Sequence, residues 1–234
     1  EHRRGQYEMA RAIESAFKEK RHLIVEAGTG TGKTLAYLLP ALRLARERQQ
    51  RVIISTGTKN LQEQLFFKDV PFLESLLGPL KVCYMKGRAN YLCRHKLYAL
   101  RDNPLLNGLE EIEQYQAIAE WEKTTETGDR AEINLLPESS PLWQKLDART
   151  EACLGQTCPD WERCFVTTMR RKALESDIVI VNHHLFFADL AIKQQAANAP
   201  DAGIRPEAAG VIFDEAHELE ESASNYFGIG LSTQ

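Results

Sequence analysis

The sequence predicts an α/β domain built on a parallel sheet and interrupted by a small, mainly helical insertion. Four short apolar runs recur, HLIVEAG (22–28), RVIISTGT (51–58), DIVIVNHH (177–184) and GVIFDEAH (210–217). Each is followed by helical periodicity, as in TLAYLLPALRLARER after the first and NLQEQLFFKDV after the second. Near-continuous apolar strands separated by helices are the pattern of a sheet buried on both faces, because each crossover helix must cover one face. The rhythm lapses from about Cys83 to Glu175 and then resumes, so the helical, charged, cysteine-bearing stretch between is read as an insertion between two strands.

Composition bounds what such a chain can be. With 234 residues, 43% apolar and 26% charged, it can bury one sizeable core and a small satellite. No run of about 18 apolar residues is present to span a membrane. The N-terminal EHRRGQYEMA lacks the apolar stretch of a secretory signal, and the chain reads as cytoplasmic. It opens on Glu1 and stops at LSTQ, which reads as an excised piece of something longer. A net charge of −4 does not announce a nucleic-acid partner in bulk. Basic residues nevertheless gather at 86–101 and 163–172, a distribution that a solvated helix face and a phosphate-binding surface share.

The first apolar run leads into EAGTGTGKT (26–34), a P-loop pattern with Ala27 where the first glycine usually stands. Ala27, Gly28, Thr29, Gly30, Thr31 and Gly32 are expected to wrap backbone N–H groups around phosphate oxygens at a helix N-terminus. Lys33 supplies a charge to the terminal phosphates, and Thr34 offers a hydroxyl to Mg²⁺. A nucleotide is therefore the expected ligand. Gln6, three residues after Arg3 and three before Met9, fits an adenine reader, since an amide both donates and accepts; an amphipathic helix face explains it too.

The second run ends in Ser55, Thr56, Thr58 and Lys59, placed as a loop against a DNA phosphate backbone or as an ordinary helix cap. The third ends in His183 and His184, neighbours that diverge on a strand and so suit a turn or a DNA contact better than a shared metal. The fourth ends in DEAH. Asp214 is placed to hold Mg²⁺, Glu215 to orient or deprotonate the attacking water, and His217 either to relay nucleotide state or to cap a helix. An acidic pair after a strand is also a common helix start; a P-loop in the same chain favours catalysis.

Five cysteines remain, three of them in CLGQTCPDWERC (Cys153, Cys158, Cys164). A disulfide suits a cytosolic chain poorly. Cys83 lies in the apolar KVCYMKG, where a thiol serves as a small hydrophobe, so the polar, basic surroundings of Cys93 make it the better fourth ligand. Four thiolates suit tetrahedral zinc or an iron–sulfur cluster, and spacing does not separate them. Arg88, Arg94, Lys96, Arg170, Arg171 and Lys172 flank these cysteines in sequence, and Tyr91, Trp161 and Phe165 are stacking or core aromatics.

RRGQYEM, AGTGTGKT, STGTKNLQEQL, IVIVNHHLFFADL and DEAH together resemble superfamily 2 helicases of the DinG/YoaA branch, which is related to the xeroderma pigmentosum group D helicase; YLC, CLGQTC and VNHHLF resemble its YoaA-type members. The resemblance covers Arg3 to about Glu220, although 107–140 carries none of it. It implies a RecA-like P-loop domain divided into 1–82 and 176–234, with an iron–sulfur insertion at 83–175 holding a [4Fe-4S] cluster on Cys93, Cys153, Cys158 and Cys164. It also implies ATP with Mg²⁺, single-stranded and forked DNA as substrate, and contacts to DNA from Thr56, Thr58, Lys59, Arg88 and Tyr91. The implied activity is 5′→3′ unwinding in repair or replication restart, with a partner such as a DNA polymerase III accessory subunit and no membrane. Nothing after Glu220 reads as the second RecA-like lobe, so the 234 residues alone are expected to unwind negligibly. A cluster-bearing single-stranded DNA-binding module with a degenerate ATP site and a non-motor P-loop ATPase are the alternatives.

Overall fold

The computed structural model describes residues 3–28, 30–103, 105–133, 136–137, 140–195 and 207–228. In chain order the elements are α1 (Arg4–Glu19), α2 (Lys33–Arg48), β1 (Val52–Thr56), α3 (Lys59–Gln64), α4 (Val70–Leu77), β2 (Val82–Tyr84), α5 (Arg94–Asp102), α6 (Gly108–Glu122), α7 (Pro141–Leu146), α8 (Phe165–Glu175), β3 (Ile178–Asn182), α9 (His183–Gln195), β4 (Gly210–Phe213) and α10 (Leu219–Phe227). A wider π-type turn, Leu65–Asp69, joins α3 to α4. No described helix is long and apolar enough to cross a membrane. The chain divides into two compact units, 1–85 with 172–234, and 86–171. Against the 83–175 drawn from the sequence, this division leaves Cys83 with the sheet.

The first unit holds a parallel four-stranded sheet in the order β2-β3-β1-β4. Strand side chains alternate between faces. Val52, Ile54, Ile178 and Ile180 pack against Leu38, Leu42 and Leu73 of α2 and α4. The alternate residues Ile53, Val179 and Val181 are equally inaccessible and face the side where α9 packs on β1 and β3. Both faces are thus covered, which is why these strands read as unbroken apolar runs.

One predicted strand is absent among the described residues. His22–Gly28 forms no ladder, and Ile24 is 98% exposed. The run has the composition of a strand, but composition does not pair it: a strand is stabilised by neighbours along its edges and cover on its faces, neither of which is local. β4 correspondingly stands at an edge of the described sheet, and Val211 is 37% exposed where a buried strand was expected.

The second unit is helical. Leu92, Leu97, Ile118, Leu142, Leu146 and Phe165 form its buried apolar positions. Ser140 caps α7 by accepting from the Trp143 N–H (3.3 Å), with Pro141 at the first helical position. Lys86 and Asp129 form a buried ion pair at 2.7 Å. Gly128, at φ +64°, is required twice over, because a Cβ there would also overlap the Phe165 ring.

Candidate functional site

The glycine-rich turn is built by backbone that only glycine adopts freely. Gly30 (φ 77°) and Gly32 (φ 81°) are left-handed, and α2 begins directly after Gly32. The Thr31 hydroxyl donates to the Gly28 carbonyl at 2.7 Å and tightens the turn. Two side chains from α1 and its start hold it from outside: Arg3 donates to the Gly30 carbonyl (2.7 Å) and Gln6 to the Gly32 carbonyl (3.0 Å). Gln6 therefore touches the loop with its amide nitrogen. Thr29 lies outside the described residues.

The carboxylate pair meets this turn. Lys33 Nζ is 3.4 Å from Glu215 Oε1, across 182 residues of sequence. The Tyr37 hydroxyl donates to Asp214 Oδ2 at 3.0 Å and interacts with the Thr34 hydroxyl. Thr34 and Asp214, the two residues expected to share Mg²⁺, thus converge on one phenol. Burial above all, and then the charge of Asp214, push the Tyr37 pKa far above its ordinary value, which keeps the proton on the oxygen as a donor. Glu215 sits at φ 54°, a left-handed conformation unusual for a residue with a Cβ. The exposed His217 lies 3.5 Å from its carboxylate. Composition did not single out Tyr37, but its place four residues after Lys33 on the same helix face was available as a signal.

The segment after β1 approaches the residues that follow the carboxylate pair. Ser55 and Thr56 are buried, and Thr58 caps α3 by accepting from the Leu61 N–H (3.2 Å); of the four polar residues there, Thr58 and Lys59 are exposed. A Cβ on Gly57 would overlap the Glu218 carboxylate, so glycine is what lets this loop lie against the residues after DEAH. The two histidines diverge. His183, the first residue of α9, is fully buried, and His184 is exposed beside Tyr226.

In the helical unit, three cysteines are presented by one repeated device. Each follows a single tight turn, Thr150–Ala152, Gly155–Thr157 or Trp161–Arg163. The N–H groups of Cys153, Cys158 and Cys164 donate to carbonyls three residues back at 3.1, 3.1 and 3.2 Å, and each cysteine is extended. Cys93 stands at the start of α5. Burial raises its pKa, and the nearby thiols of Cys164 and Cys158 add to the rise. The Cys93 sulfur is thus within electrostatic reach of those two thiols. At Cys153 burial also pushes upward, but the Gly155 N–H and the Arg88 side chain bond to the sulfur and, with the charge of Arg170, bring the net shift below the ordinary thiol value.

Cys83 stands apart in β2, its thiol pushed up to about 11, chiefly by burial. His95, Cys158 and Asp160 also bring ligand atoms within 4.8 Å of one another, a mixed N, S, O set. A donor set of soft thiols fits an iron–sulfur group, with basic side chains beside it to offset a cluster's negative charge. Tyr91, by contrast, is 3% exposed, and its hydroxyl accepts from the Lys86 N–H (3.0 Å). It is a core residue in this fold, and Phe165, under the Arg94 guanidinium at 3.9 Å, is another. Neither face is open to a base.

Residues 5–104 match the DEAD/DEAH box helicase family. The ATP-dependent DNA helicase YoaA of Haemophilus influenzae is 43% identical over 233 residues, covering 99% of this chain and 35% of that protein. The ATP-dependent helicase DinG of Mycobacterium tuberculosis is 36% identical over 242 residues, covering 95% and 35%. A Bacillus subtilis protein named 3′-5′ exonuclease DinG is 32% identical over 243 residues, covering 97% and 24%. The chain spans about a third of the length of the first two of these curated relatives, and it belongs to the DinG/YoaA family of helicases.

Proposed function

We propose that these residues form the nucleotide-binding and cluster-bearing part of an ATP-dependent DNA helicase with 5′→3′ polarity, acting in the cytoplasm in DNA repair or replication restart. The observation that carries the reading is the convergence of Lys33 on Glu215 and of Thr34 and Asp214 on the Tyr37 hydroxyl. In this reading the backbone of 27–34 cradles the phosphates, Lys33 offsets their charge, and Thr34 with Asp214 holds Mg²⁺, which when bound neutralises charge developing on the phosphate oxygens. Glu215 is within reach of the same space and orients the attacking water. Gln6, already on the loop, exchanges a loop carbonyl for the base.

Cys93, Cys153, Cys158 and Cys164 would hold the [4Fe-4S] cluster, which when bound ties the 149–164 turns to α5. Thr56, Thr58, Lys59, Arg88 and Tyr91 were the expected DNA contacts. Lys59, exposed after β1, and the basic side chains near the thiols suit that role, whereas the buried Thr56 and Tyr91 support DNA contacts only from behind. The DNA substrate is single-stranded or forked, and the protein partner is a replication or repair factor such as a DNA polymerase III accessory subunit.

The full-length protein, purified anaerobically, tests this. ATP hydrolysis stimulated by single-stranded DNA, with ATP-dependent opening of a 5′-tailed but not a 3′-tailed fork, is expected, and negligible opening by the 234 residues alone. Hydrolysis indifferent to DNA would leave a non-motor ATPase. DNA binding indifferent to ATP would leave a binding module, and shortening of the strands without ATP a nuclease.

A further inference from the structure

A buried polar chain lies beneath the carboxylate turn, and the nucleotide chemistry does not use it. Ser55 is its centre. Its carbonyl accepts from the Asp214 N–H at 2.8 Å, and its hydroxyl lies 2.7 Å from His183 Nδ1. Both Ser55 and His183 are fully buried. Asn182 ends β3 and caps α9 by accepting from the Leu185 N–H (2.8 Å), which fixes His183 at the first helical position under the tip of the sheet. The imidazole lies 6.0 Å from the ring of Phe213, the residue before Asp214.

The other ring nitrogen is the unusual one. Nε2 of His183 is buried without a hydrogen-bond partner among the described residues. The main chain of Asp214 and Glu215 comes close enough to the imidazole to act on it, yet forms no hydrogen bond with Nε2. In the neutral tautomer that accepts from the Ser55 hydroxyl at Nδ1, the one N–H of the ring is on Nε2. A buried N–H so placed is poised to bond, because leaving it unmade is costly. The neighbouring Asp214–Glu215 turn holds Glu215 in a left-handed conformation, the kind of local strain that surrounding structure must maintain.

We propose that His183 is a positioning residue: it accepts the Ser55 hydroxyl at Nδ1 and presents Nε2–H to the carbonyls of the Asp214–Glu215 turn, so that the loop following β1 and the carboxylate pair move together. DNA on that loop and Mg·ATP at the carboxylates then sense each other through one imidazole. The proposal rests on the nucleotide and DNA roles argued above.

The test uses the full-length protein and compares kcat and KM for ATP with and without saturating single-stranded DNA. His183→Phe keeps an aromatic ring and removes both the bond to Ser55 and the Nε2–H. Its DNA stimulation is expected to fall about ten-fold, the value of one bond of about 1.4 kcal/mol, with KM for ATP within about two-fold of wild type. His183→Gln, which can restore a donor near Nε2, recovers part of the stimulation. Ser55→Ala, a smaller deletion that tests the same chain should His183→Phe fold poorly, lowers it too. Stimulation ratios equal to wild type in His183→Phe, or in Ser55→Ala if His183→Phe does not fold, would overturn the proposal, as would loss in direct proportion to the fraction of folded protein. Lys33→Ala separates the two levels. Hydrolysis that survives it refutes the nucleotide site itself, whereas an inactive Lys33→Ala beside an unaltered stimulation ratio refutes only the role of His183.

Discussion

The nucleotide turn and the thiol turns hold their groups in different ways. In the sheet-bearing unit, strand ends set the main chain: β1 and β4 are in parallel register from Val52↔Gly210 to Ser55↔Phe213, and the next residue, Asp214, is bonded back to Ser55. Lys33, Thr34 and Tyr37 are then brought to the carboxylates by one turn of α2. In the helical unit, Cys153 and Cys158 hang on single turns without a ladder or a long helix, and Cys164 joins such a turn to the start of α8. Backbone pairing preforms the first arrangement before any ligand arrives. The second has few bonds of its own, so it gains most from a ligand that the thiols share.

The difference can be broken from either side. The largest expected effect is that of Cys158→Ala in the full-length protein: loss of protein-bound iron and acid-labile sulfide, with tryptic cleavage starting within 149–164 while the sheet-bearing unit stays resistant. Equal cleavage of both units would mean that the thiol turns do not depend on a shared ligand. Lys33→Ala is expected to lower ATP hydrolysis about 100-fold or more without changing iron content, and a brown protein lacking hydrolysis would show that the two sites are assembled independently.

Cys83 sharpens the contrast on stability. Its folded pKa of about 11 lies above the unfolded thiol value, so its contribution is fully present below the unfolded pKa of roughly 8.5 and is lost as pH rises through 11. Between those limits the wild type should lose roughly 3 kcal/mol more unfolding free energy than Cys83→Val, measured by denaturant titration at a series of pH values. Parallel curves would mean that the β2 thiol is not held neutral. The smallest effect belongs to Tyr37→Phe, which removes one hydrogen bond to a carboxylate. A fall in kcat of about ten-fold with little change in melting temperature is expected, and an unaltered kcat would place the Tyr37 hydroxyl outside the chemistry.

Much of the first unit was legible in order. The apolar runs at 51–58, 177–184 and 210–217 became β1, β3 and β4, and Gly30 and Gly32 of 26–34 took the left-handed angles that a phosphate-binding turn needs. HLIVEAG shows the limit of that reading, since the same composition formed no strand. The DNA candidates show another. Tyr91 and Thr56 are polar enough in sequence to face a ligand, but packing against Lys86 and between strands buried them. Nothing in VNHHLF tells which histidine points inward; the Asn182 cap and the first turn of α9 decide that.

What the sequence determined by itself was local: which runs are apolar enough to be covered on two faces, where glycine permits a left-handed turn, and which thiols lie close along the chain. What only the tertiary structure decided was which distant groups meet. Lys33 with Glu215, Tyr37 with Asp214 and Ser55 with His183 are each more than a hundred residues apart. Their meeting depends on strand order and register, which arise from pairing energies summed over the whole sheet and leave no mark on the few residues that finally touch.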